Sequence, residues 1–184
     1  MSGRNTIMRS LHDIGLAAWF GGSLMGAVGL NGATAQAASP PDRLRLSSLG
    51  WAKWAPVQLA ALVAHGIGGI GLISANKTRL AAQQESRTNT AWKTVITVLA
   101  GATTAYSGIL GRTMKKHQDE PTDGVTDPAD GASDQLASAQ RQQRILQWVT
   151  PALTLVVIVL AAQQGEQQRP LKGLLQTTIK NFRK

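Results

Sequence analysis

The sequence predicts an all-α integral membrane protein: four transmembrane helices in an antiparallel bundle, followed by a C-terminal amphipathic interfacial helix. Three observations predict it. Four apolar segments each approach the ~20 residues that cross ~30 Å of hydrocarbon at 1.5 Å per residue. No charged residue occurs between Lys53 and Lys77, between Lys93 and Arg112, or between Arg144 and Glu166. Soluble helices of such length carry a polar stripe, and these segments carry none. Tryptophans mark the segment ends, with Trp51 and Trp54 before the second and Trp92 and Trp148 opening the third and fourth. An indole there keeps its ring in apolar surroundings and its N–H near water.

Residues 1–10 form a polar N-terminus, and the first span covers 11–33. Arg4, Arg9, the apolar run and "ATAQAAS" imitate a secretory signal cleaved after Ala37. The length of the segment, its glycines and the His12-Asp13 pair at its entry favour a retained span instead. A loop over 34–54 leads to the second span (55–75), and a loop over 76–90 leads to the third (91–111). The loop over 112–144 holds "DGVTDPADGASDQL", which lacks the ligand spacing of a calcium-binding hand and reads as an extended, solvated acidic linker. "SAQRQQRILQW" reads as a helix running into the fourth span (145–162), where Pro151 is a point for a kink. In the tail (163–184), Leu171, Leu174, Leu175, Ile179 and Phe182 share a helical stripe. Lys172, Lys180, Arg183 and Lys184 would meet an anionic membrane surface beside it, or the tail would dock on a partner's cytoplasmic face.

The formal charge is +9, and its distribution sets the topology. The side holding both termini carries eleven cations and three acids, and the other side eight cations and seven acids. The positive-inside rule then puts both termini in the cytoplasm, in a multi-pass protein of the plasma (inner) membrane. The basic residues are not interleaved with aromatics and match no recognition motif, so nucleic acid is not an expected partner. There is no cysteine, hence no disulfide and no thiolate chemistry.

Small residues recur at helical spacing: Gly15, Gly22, Gly26 and Gly29 in the first span, and Gly101, Gly108 and Gly111 in the third. In lipid, close backbone approach at such residues supplies much of the association between helices. The stripes serve either the packing of the four spans or the docking of another membrane subunit.

His65, in "LVAHGIGGIGLIS", stands roughly 15 Å from either end of its span, near the midplane. Ser23, Thr103, Thr104 and Thr154 lie at similar depth and make hydroxyl partners. The expected role of His65 is structural, as a neutral ring bonded to one of these hydroxyls. His12, at the inner edge about 15 Å away, His65 and Met25 are the residues from which a metal or haem site would have to be assembled. No cofactor and no metal are expected. Asp13, the acid nearest a span, is expected to pair with His12, Arg9 or Lys93.

The stretch "LHDIGLAAWFGG" resembles the first helix of copper-resistance D-type membrane proteins, with His12, Trp19, Gly21 and Gly22 in a His…Trp-x-Gly-Gly spacing. The resemblance covers about a dozen residues and implies a metal or haem role for His12. That family generally has more spans and further His or Met residues than this chain. The Ala/Gly/Thr/Gln-rich style also resembles small membrane proteins of actinobacteria, which implies a plasma-membrane location.

No Ser-His-Asp spacing, HExxH motif, phosphate-cradling loop or paired intramembrane carboxylates occur, so an enzyme is not expected. The expected function is a non-catalytic accessory or structural subunit of a larger respiratory or transport complex, in contact with lipid and other membrane subunits. A haem- or copper-binding membrane protein and a small transporter subunit are the alternatives. No small-molecule substrate is indicated.

Overall fold

A computed structural model describes residues 5–77 and 84–167. The basic amphipathic tail, with Lys172, Lys180, Arg183 and Lys184, lies outside the described residues. The described chain is helical, with α1 at Thr6–Met25, α2 at Asn31–Thr34, α3 at Pro40–Ala75, α4 at Gln84–Lys116 and α5 at Asp134–Gln167. A five-residue π-helical turn, Gly26–Leu30, joins α1 to α2. By length and composition, four helices can cross a membrane.

The helices outrun the apolar segments because polar flanks continue the same hydrogen-bonded ladder. At the start of α3, Pro40 and Pro41 occupy its first turn, where a missing N–H costs nothing, and Asp42 faces the positive end of the dipole. At the start of α5, Ser133 accepts the N–H of Leu136 on its hydroxyl at 3.3 Å and that of Ala137 on its carbonyl at 2.9 Å.

Two clusters are buried. Leu16, Trp19, Ala61, Ala100 and Val157 bring α1, α3, α4 and α5 together. Leu44, Leu110, Met114, Val125, Leu136 and Ala139 close the end beside the 117–133 loop. Elsewhere apolar side chains face outward: Ile70 is 69% exposed, Ile145 66% and Val98 65%. Such a surface suits contact with acyl chains or with other apolar helices. Trp92 and Trp148 are also exposed, as headgroup-level indoles should be.

The 117–133 loop corrects an expectation, because it is folded rather than extended and solvated. Asp123 and Gly124 donate their N–H groups to the Asp127 carbonyl at 3.0 and 3.1 Å, making a closed turn. Gln140, fully buried on α5, donates to the Thr122 hydroxyl and to the carbonyls of Gly124 and Val125. Arg43 donates from α3 to the carbonyls of Thr122 and Asp123. The fastener is Val125, one apolar residue between acidic turns, which seats against Leu44 and Leu136. Glu120 accepts from the Ser133 N–H at 2.8 Å and from the His117 ring at 2.5 Å. These bonds, the Ser133 one foremost, hold its carboxyl below the ordinary carboxylate value.

Candidate functional site

The seam between α1 and α3 builds the site. Gly15 on α1 lies against the main chain of Ala61 and His65, where a Cβ would stand 2.5 Å from the Ala61 oxygen and 2.6 Å from the His65 nitrogen. Gly68 on α3 lies likewise against the main chain of Met8 and His12. Each glycine therefore seats the histidine of the opposite helix. The sequence repeats the device, with His12-Asp13-Ile14-Gly15 on one helix and His65-Gly66-Ile67-Gly68 on the other. This H-x-I-G echo is the signal that could have paired the two histidines from sequence.

The consequence is ring contact. The imidazole centroids of His12 and His65 are 4.3 Å apart, with the planes tilted by 38°. The expected 15 Å gap in depth is overturned, because α1 begins at Thr6 and carries His12 well inside the span. His65 is also not bonded to a hydroxyl: its Nδ1 meets the His12 carbonyl at 3.1 Å. A carbonyl only accepts, so Nδ1 carries the proton. His12 Nδ1 lies 2.8 Å from Asp13 Oδ1, realising one of the pairings expected for Asp13, and donates to that carboxylate in the same way. In the neutral form of each ring Nε2 is then the acceptor, and among the described residues neither Nε2 takes a hydrogen bond.

The pair sits in the wall of a cavity of about 590 Å³, on the side of the molecule where α1 begins and α3 ends. Arg9, Asp13 and Lys93 line it with the two histidines, and Ile70, Ile73, Val98 and Ile158 give it apolar walls. Asn76, Thr90 and Thr94 add polar groups toward the helix ends. Trp19, 1% exposed, stands edge-on to the His65 ring at 6.0 Å. Its indole N–H donates to the Thr104 hydroxyl at 3.0 Å, tying α1 to α4 beside the cavity. Lys93 and Trp19 were legible as residues, but only the fold brings them to the histidines.

The other expected residues separate. Gly22 and Gly26 are seats for indoles, because a Cβ would overlap the Trp54 ring at the first and the Trp51 ring at the second. Gly29 touches only the Met25 side chain, and Gly101, Gly108 and Gly111 meet nothing within 4 Å. Ser23 donates to the Trp19 carbonyl at 2.5 Å and Thr154 to the Thr150 carbonyl at 2.9 Å, so both satisfy themselves within their own helices. Thr103 accepts from the Thr150 hydroxyl at 3.0 Å, joining α4 to α5. On the far side from the cavity, Asn31 takes hydrogen bonds from Ser47 at 2.9 Å and Trp51 at 3.0 Å and gives one to Gln147 at 3.1 Å. Composition alone does not single out that asparagine.

Met25 is 65% exposed and thirteen residues beyond His12, roughly 20 Å along α1, so it does not join the histidines. Rings in contact at 4.3 Å leave no slot for a macrocycle between them, so the pair does not fit a haem held from both faces. Among the described residues no three His, Cys, Asp or Glu side chains gather as a metal cage. What the site offers is two imidazoles, one carboxylate, two cationic side chains and apolar walls around one cavity. No family model, curated protein or solved structure matches the chain.

Proposed function

We propose that this chain is a non-catalytic component of a larger plasma-membrane assembly and that it works by binding a small amphipathic molecule in the His12–His65 cavity. The observation that carries the reading is the cavity itself. Ionisable side chains within a membrane are costly and mark substrate or ion paths by default, and here five of them meet in one chamber. Its volume falls within the ~300–1,000 Å³ usual for small-molecule sites. The unobstructed Gly101, Gly108 and Gly111 face of α4 supports docking beside another membrane subunit. In this reading the four spans form an antiparallel bundle with both termini in the cytoplasm, and the cavity faces that side.

A plug tests the proposal. Gly66 lines the cavity, and a Cβ on it meets nothing within 4 Å, so Gly66→Leu fills the space without disturbing the seam. Protein extracted gently from its native membrane should carry a bound small molecule in native mass spectrometry, and the plugged variant should not. Equal adducts on both, or none on either, would count against the cavity. Elution of the chain alone under every mild extraction would remove the larger assembly.

A second reading, a metal ion held by the two Nε2 atoms, is favoured by the pinned Nδ1–H groups, since ligating histidines usually donate their other N–H to a carboxylate or carbonyl. Stoichiometric metal in the purified protein, lost in His65→Phe, would support it over the first.

A further inference from the structure

The binding reading leaves open what the chamber recognises, and the protonation of the two rings narrows it. Both Nδ1–H groups are engaged, by the Asp13 carboxylate and by the His12 carbonyl. Both rings line the cavity, and in their neutral form each keeps Nε2 as an acceptor, which calls for a ligand that donates. An ionised carboxylate or phosphate diester would pair with Arg9 and Lys93 but has no hydrogen to give to the two rings. A fixed organic cation would meet Arg9 and Lys93 in the same wall. A hydroxyl suits both sets of groups, since it donates to an imidazole and accepts from an ammonium, which has three N–H donors to share. Among hydroxyls a phenol donates most strongly, and its ring suits a cavity lined by the two imidazoles. The walls of Ile70, Ile73, Val98 and Ile158 then accept an apolar chain.

We infer that the cavity receives a phenolic amphiphile of the hydroquinone class, its O–H bound by the Nε2 atoms of His12 and His65 and its chain lying on the apolar wall. This rests on the binding reading above and concerns recognition alone.

The test uses the full chain in neutral maltoside micelles with three probes: decylhydroquinone, the oxidised decylbenzoquinone, and decylhydroquinone with both hydroxyls methylated. The hydroquinone should bind one to one and roughly tenfold tighter than either probe lacking O–H groups, the loss of about one good hydrogen bond. His65→Phe and His12→Phe keep a ring in place but remove the acceptor, and each should erase that preference. Gly66→Leu retains both histidines and should abolish binding of all three probes. Equal affinity for the hydroquinone and its dimethyl ether, both blocked by Gly66→Leu, would overturn the inference and leave the cavity standing as a binding site. Indifference of every probe to Gly66→Leu would overturn the cavity reading itself.

Discussion

At the end of the molecule near the 117–133 loop, Asn31, Ser47, Trp51 and Gln147 satisfy one another across α2, α3 and α5. At the opposite end His12 and His65 meet in a hollow and keep their outer nitrogens unspent. Both regions place polar groups between helices apolar enough to cross a membrane, where each unpaired one is expensive. The first region closes its network with side chains from the same fold, which is how polarity is used to fix structure. The second stops one bond short on each neutral ring, which is the feature the proposed binding role rests on.

The largest expected effect separates the two kinds of glycine behind these regions. Gly68→Val sets a branched side chain against main-chain atoms of Met8 and His12, which cannot rotate away. It should cost about 3 kcal/mol or more and prevent the histidines from meeting. Gly101→Ala, in open space, should leave the isolated protein unchanged or up to about 1 kcal/mol more stable through helix propensity. Thermal unfolding in detergent measures both, and similar destabilisation by the two would erase the distinction between seam and open face.

A smaller effect tests the closed network. Asn31→Ala strands the Ser47 hydroxyl, the Trp51 indole N–H and the Gln147 amide, at about 1–3 kcal/mol, while leaving ligand binding in the remote cavity intact. If it weakened binding as much as stability, the two ends would be one cooperative unit.

The smallest effect is a pH dependence confined to the loop. The Glu120 carboxyl is held below its ordinary value of 4.5 by the Ser133 N–H first and the His117 ring second. Its contribution is therefore complete above about pH 4.5 and disappears as pH falls through the lower folded-state value. The protection of the Ser133 amide, measured against its intrinsic exchange rate, should fall over that acidic window and stay constant between pH 5 and 8. Loss of protection already at pH 6 would exclude Glu120 as the group that holds the loop.

What the sequence disclosed, and what it withheld, follows from range. The spans and their end tryptophans depend on composition over twenty residues, and the four long apolar helices appear as expected. Contacts between helices depend on register, which composition does not carry. Placing the start of the first span at Leu11 rather than Thr6 moved His12 to the membrane edge, and the histidine pair vanished from view. The 117–133 loop misled because its acids and glycines outnumber Val125 and Gln140, the two residues that fold it. The glycine stripes were visible, but a stripe does not reveal whether it faces a main chain, an indole or nothing.

The crossing at Gly15 and Gly68 has a mechanical consequence. Two backbones that touch at both glycines cannot slide past one another without breaking those contacts, which fixes the register of the first helix on the third. The imidazoles are in position before anything arrives, which spares a guest the entropy of arranging them. The rest of the cavity wall comes from the fourth and fifth helices, through Lys93, Thr97 and Val98 on one and Ile158 and Ala161 on the other.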